Sequence, residues 1–169
     1  SVPIRPWKRE SKDWRLWPIT DRFGTSFRLI AHAILRDVER GTFLDTAFDK
    51  HLASSTLTER ERAFVYQIVS GVVRWRDYLD WIIGRLSVKA PRGETRALLR
   101  ISLYQLWAMR KGAHHVVKET VDVATATQGG PAGKYVNALL RRYLREKDDL
   151  PYPEKPLERM ALINSFPAW

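Results

Sequence analysis

Cysteine is absent from all 169 residues of the chain. Its absence excludes a disulfide framework, a thiolate zinc site and a cysteine nucleophile, and it is typical of a protein of the reducing cytoplasm. Long apolar runs are absent as well, since none approaches the roughly 20 residues that a membrane span needs. The N-terminus, SVPIRPWKRE, lacks the apolar segment of a signal peptide. We therefore expect a cytoplasmic protein without a membrane partner.

The short motifs that carry nucleotide and metal chemistry are also missing. The sequence contains no GxxxxGK[ST], GxGxxG or HExxH pattern, and its scattered carboxylates do not suggest an acid–base pair. His114 and His115 are adjacent, so on a helix they point to different sides, and we predict no metal site there. These absences favour a binding module with no catalytic residues and no cofactor of its own.

Acidic residues are few beside basic ones, with 19 Asp and Glu against 29 Lys and Arg and a formal net charge of +10. Such a balance favours an anionic partner, of which nucleic acid is the first candidate. Residues 1–24 form a separate, basic N-terminal extension that interleaves cations with Trp7, Trp14 and Trp17. These tryptophans could stack on RNA bases or dock on the body of the domain, and both readings stay open.

Apolar spacing predicts an all-α fold with about seven core helices. From Thr25 onward, apolar residues recur at intervals of three and four, which places them on one face of each helix. Thr58 and Glu61 match a capping box. The stripe that follows predicts either one long helix or two helices that break near residues 74–77. We expect the helical domain to cover residues 25–150, followed over 151–169 by a proline-rich linker with a short helix near 156–164.

Helix packing can also be predicted at particular positions. Gly71 inside a helix costs about 1 kcal/mol relative to Ala, so we expect another helix to approach closely there. Residues 95–109 are apolar on more than one face, which predicts a central helix with Leu103 and Leu106 in the core. Three tryptophans lie on apolar stripes and are also predicted to be core residues, namely Trp75, Trp81 and Trp107.

Five segments follow one another in an order that is typical of a known family. They are FRLIAHAIL (27–35), ERAFVYQIVSGVVRW (61–75), ALLRISLYQLWAMR (97–110), HHVVKETVDVAT (114–125) and GKYVNALLRRYL (133–144). Together they resemble the N-terminal NusB-like domain of the bacterial ribosomal RNA cytosine-C5 methyltransferases, also called the Sun or Fmu family. The final SFPAW (165–169) resembles the Ser-x-Pro-x-Trp that in this family leads toward the methyltransferase domain. The chain departs from the family pattern at His114, Lys118 and Tyr135, where Pro, Asn and Phe are usual.

This resemblance implies an antitermination-factor fold with two small helical lobes and a role in positioning ribosomal RNA. It also implies that the catalytic cysteine and the S-adenosylmethionine site belong to a later domain, so this chain alone is not expected to methylate. The implied partners are ribosomal RNA and the protein's own methyltransferase domain. Two alternatives stay open. One is a NusB-type transcription antitermination factor that binds RNA and a ribosomal protein, and the other is a scaffold that packs on its catalytic domain without touching RNA.

Basic residues on the predicted helices are the candidates for contacts with RNA phosphates. The segment KYVNALLRRYLRE (134–146) concentrates them beside a single acid, Glu146. We predict RNA contacts for Arg22, Arg28, Arg76, Lys134, Arg142 and Arg145. We predict structural ion pairs for Arg74 and for Arg141, the latter with Glu119 or Asp122 on the preceding helix.

Overall fold

The computed structural model describes residues 21–53, 55–91, 93–151 and 154, with side chains from Phe27 onward, and this part of the chain folds into helices alone. The helices are α1 (Asp21–Glu39), α2 (Leu44–Leu52), α3 (Glu59–Arg74), α4 (Arg76–Leu86), α5 (Gly93–Trp107), α6 (Ala113–Gln128) and α7 (Gly130–Glu146). The prediction of an all-α fold with about seven helices is confirmed. α1 begins at Asp21, four residues before the predicted Thr25. Most of the predicted N-terminal extension and the short helix near 156–164 lie outside the described residues.

The long apolar stripe forms two helices, α3 and α4, which meet at Trp75. This residue has a φ of −103° and a ψ of 17°, so the helical path is interrupted there. The predicted capping box at the start of α3 is confirmed. The Glu61 backbone N–H donates to Oγ1 of Thr58 at 3.3 Å, and the Thr58 N–H donates to the Glu61 carboxylate at 2.8 Å. A box of this kind satisfies two helix-end donors and fixes where the helix begins.

The centre of the fold is α5, which packs against α1, α3, α4, α6 and α7. Its residues Leu99, Ile101 and Leu103 are completely buried, as the all-round apolar pattern predicts. Leu106 is partly buried and packs against the core, so its predicted core position is confirmed only in part. Among the described helices, none combines the length and the apolarity needed to cross a membrane.

The tryptophans predicted to lie in the core are each half-buried at its edge. The rings of Trp75 and Trp107 meet edge to face with centroids 5.0 Å apart, and Tyr78 stacks on Trp81 at 5.8 Å. These rings close the end of the core where α3, α4 and α5 come together. The predicted core position is therefore confirmed only in part, because the three rings pack against the core and remain partly exposed.

Two glycines mark places where helices touch most closely. A Cβ atom at Gly71 on α3 would overlap the ring of Tyr104 on α5, which confirms the predicted close approach. A Cβ atom at Gly133 on α7 would overlap the Thr125 side chain on α6. The α6–α7 hairpin is therefore tight at the end nearest its turn.

Candidate nucleic-acid interface

The exposed face of α7 carries a stripe of three cations, Lys134, Arg141 and Arg145. Their spacings of seven and four residues place them on one side of the helix. The opposite side is buried and contains Val136, Leu139, Leu140 and Tyr143. None of the three cations has an ion-pair partner among the described residues. Because the apolar side fixes the rotation of the helix, the three charges are held pointing toward solvent.

Arg141 belongs to this stripe, and the prediction that it pairs with Glu119 or Asp122 is wrong. Its Nε donates to Oδ1 of Asn137, one turn earlier on the same helix, at 3.0 Å. Asp122 instead accepts from Lys118 Nζ at 2.9 Å. Glu119 faces the interior, where it pairs with Arg28. The carboxylates of α6 are therefore already engaged, and Arg141 remains exposed.

Arg142 lies to one side of the stripe and connects α7 to α4. Its Nε donates to Glu146 at 2.9 Å, and its Nη1 donates to the backbone carbonyl of Leu86 at 2.9 Å. Leu86 is the last residue of α4, where carbonyls lack helical partners. The guanidinium therefore caps the end of α4 and forms an ion pair within α7, which gives Arg142 a structural role. The prediction that it also contacts RNA stays a prediction.

Arg28 is fully buried, so the prediction that it contacts RNA is wrong. Its guanidinium forms an ion pair with Glu119 and donates through Nη2 to Oε1 of Gln105 at 2.9 Å. Burial lowers the pKa of Arg28, and the neighbouring Glu119 carboxylate opposes that shift. The sequence does contain a signal for this position. Arg28 precedes Ala31 and Leu35 by three and seven residues, so it lies on the apolar face of α1.

Arg74 and Arg76 flank the α3–α4 junction and are both exposed. The Arg74 guanidinium lies 5.9 Å from the centroid of the Trp75 ring, and no carboxylate pairs with it among the described residues. Its predicted ion pair is therefore not formed. Arg76 approaches Asp77 at 3.5 Å. Arg76 begins α4, whereas Arg142 contacts the last residue of α4, about 15 Å along the helix. The side chain of Arg22, in the first turn of α1, lies outside the described part.

A groove of about 310 Å³ runs between α6 and α7 beside the stripe. The helices touch at Gly133 and Thr125, near the turn, and the groove is lined by residues farther from it. The apolar part of its lining consists of Ala113, Val117, Val121 and Leu144, and the polar part consists of His114, Lys118, Asp122, Asn137 and Arg141. Sequence periodicity does not reveal this groove, because its walls come from two different helices and depend on how those helices pack.

Comparisons with known proteins agree with the resemblance seen in the sequence. Residues 25–145 match the NusB family. A relative from Vibrio vulnificus (strain YJ016), named ribosomal RNA small subunit methyltransferase B, is 36% identical over 123 residues, or 71% of this chain and 28% of the relative. A protein of the same name from Erwinia tasmaniensis is 32% identical over 130 residues, which cover 75% of this chain and 30% of that protein. One from Escherichia coli O1:K1 / APEC is 29% identical over 125 residues, 72% of this chain and 29% of that protein. The chain thus spans about three tenths of the length of these relatives.

Proposed function

The chain belongs to the NusB family, and we propose that it is an RNA-binding domain that positions ribosomal RNA for a methyltransferase domain outside this sequence. The observation that carries the proposal is the exposed stripe of Lys134, Arg141 and Arg145 on α7. The names of the relatives support ribosomal RNA as the class of nucleic acid. They also favour this role over that of an antitermination factor.

The stripe suits phosphate binding better than a purely structural role. Like charges four residues apart, as at Arg141 and Arg145, destabilise a helix by about 0.2–0.5 kcal/mol. A helix needed only for packing would alternate the signs of its exposed charges. An RNA backbone along α7 would reverse the effect, because each phosphate neutralises a cation and releases a counterion. Lys134 and Arg145 are about 16 Å apart along the helix axis, so the stripe is long enough to face several phosphates.

Contacts of this kind hold and orient RNA without reading its sequence, since phosphates are the same at every nucleotide. This matches a domain that presents a substrate to a separate catalytic site. In this proposal, S-adenosylmethionine binding and methyl transfer belong to the part of the relatives that this chain does not cover. The chain itself contains no cysteine and no glycine-rich phosphate motif.

Direct binding measurements test this role. Fluorescently labelled fragments of small-subunit ribosomal RNA are titrated with the chain at several salt concentrations, and the affinity is expected to fall steeply as salt rises. In a parallel calorimetric titration, S-adenosylmethionine is expected to give no heat of binding. The absence of RNA binding at low salt would contradict the RNA-binding role and leave the scaffold alternative. A micromolar cofactor site would contradict the proposed division of tasks.

A further inference from the structure

We propose that the groove between α6 and α7 accepts one unpaired nucleotide of the bound RNA, with its base against the apolar lining and its phosphate at Arg141. This inference rests on the proposed RNA-binding function and adds a second mode of contact to it. The stripe on α7 meets only the backbone, whereas the groove would hold a base. The domain would then favour RNA with an unpaired position over a continuous duplex.

The size and lining of the groove fit a single nucleotide. Its volume of about 310 Å³ is at the lower end of the roughly 300–1,000 Å³ range of small-ligand sites. The side chains of Val117, Val121 and Leu144 form an apolar surface on which the flat face of a base loses water. A base inside a duplex cannot reach such a surface, because its faces are already stacked. RNA-binding proteins bind bases that are unpaired and splayed out of the stack.

The polar side chains on the α7 wall match the rest of a nucleotide. Arg141 uses Nε to donate to Asn137 Oδ1, and its two terminal nitrogens have no partner among the described residues. A guanidinium presented in this way can bind a phosphate through two parallel hydrogen bonds. The same contact orients the Asn137 amide, whose NH₂ group is left as a donor for a carbonyl oxygen on a base edge.

The charges around the groove favour an anionic ligand over a cationic or neutral one. Lys118 and Asp122 pair with each other across one turn of α6 at 2.9 Å, so the single acid of the lining is neutralised. Arg141 contributes an unneutralised positive charge. The first turn of α6, at Ala113 and His114, has no side-chain cap on its backbone N–H groups, which adds partial positive charge at the open end.

Two RNA probes separate the groove from the stripe. One is a single-stranded uridine pentanucleotide, and the other is the same sugar–phosphate chain without bases. We expect the unmodified protein to bind the first roughly tenfold more tightly, because only that probe can bury apolar base surface. Val121→Phe, which fills the groove, should reduce this ratio to about one. Ala126→Phe is the control, since it introduces the same phenyl ring on α6 at an exposed position outside the groove.

Nuclear magnetic resonance on the unmodified protein keeps the test independent of how well the filled variant folds. The backbone amides of Val117, Val121, Asn137 and Leu144 should shift with the pentanucleotide and not with the baseless chain. Equal affinities for the two probes, or shifts confined to Lys134 and Arg145, would overturn the groove proposal and leave the RNA-binding function intact. Binding of neither probe at low salt would overturn both. Groove shifts caused by an acidic peptide but not by RNA would also overturn the proposal.

Discussion

Arg28 on α1 and Glu119 on α6 form a buried ion pair that joins two helices 91 residues apart in sequence. Removing Arg28 leaves the buried Glu119 without its guanidinium partner and, among the described residues, with only the imidazole of His115 beside it, at 2.7 Å. We expect Arg28→Met to lower the free energy of unfolding by about 3–5 kcal/mol. The double variant with Glu119→Leu should recover much of this loss, because two apolar side chains then replace the pair. Urea unfolding measures both, and a loss below about 1 kcal/mol for the single variant would contradict the burial of Arg28.

The contact between Gly71 and Tyr104 predicts a change of sign in a double-mutant cycle. In the natural background, Gly71→Ala should destabilise the fold by about 1–3 kcal/mol, since the added methyl group overlaps the Tyr104 ring. In a Tyr104→Ala background the overlap is gone, and the same change should stabilise by up to about 1 kcal/mol through helix propensity. Thermal or urea unfolding of the four proteins is the measurement. Equal effects in both backgrounds would show that the two residues do not meet.

Two leucines of the central helix α5 differ in burial, so their replacement should differ in its effect on stability. Leu103 is completely buried, whereas Leu106 is partly exposed near the helix end. We expect Leu103→Ala to cost about 2–5 kcal/mol and Leu106→Ala to cost clearly less. The comparison is made by denaturant unfolding of both variants under one condition. The reverse order would mean that α5 is rotated relative to the core.

The stability of the fold should depend on pH through Asp37, which lies near the end of α1. Hydrogen bonds from Lys50 and then His51 lower the pKa of Asp37 from 3.8 to about 2. A depressed carboxyl pKa adds stability that is complete above the unfolded value and is lost as the pH falls toward the folded value. The melting temperature of the natural protein should therefore exceed that of Asp37→Asn at pH 6, and the difference should shrink between about pH 4 and pH 2. A difference that stays constant over this range would contradict the role of the ionised carboxylate.

Local patterns in the sequence were sufficient for most of the fold. The capping box at Thr58 and Glu61 involves residues three apart, and it places the start of α3 correctly. Helix periodicity also indicates which side of α7 is buried. These features depend on near neighbours along the chain, so they can be read from residue types and spacing. The sequence indicates where a break would lie, near Trp75, but not whether it occurs, because a continuous apolar stripe fits one helix as well as two.

The assignment of individual arginines was less successful, because it depends on partners distant in sequence. Glu119 was correctly expected to form an ion pair, but with Arg141 on the next helix instead of Arg28. Once Arg28 occupies that carboxylate inside the core, Arg141 is left on the surface. Arg142, at the neighbouring position, reaches the end of α4 instead. The choice between surface and core thus followed from tertiary packing, which spacing within α7 cannot show.

The salt dependence of RNA binding in two triple variants tests most directly whether α7 is the RNA-binding face. One replaces Lys134, Arg141 and Arg145 with Gln, and the control replaces three exposed cations outside α7, Arg36, Arg40 and Arg85, with Gln. Both remove the same formal charge. We expect the α7 variant to weaken binding to ribosomal RNA fragments and to flatten the log–log salt slope by about two to three units, at roughly 0.7–0.9 per lost phosphate contact. The control should change the slope by less than one unit. An unchanged slope in the α7 variant, or equal changes in the two variants, would contradict the assignment of α7 as the RNA-binding face.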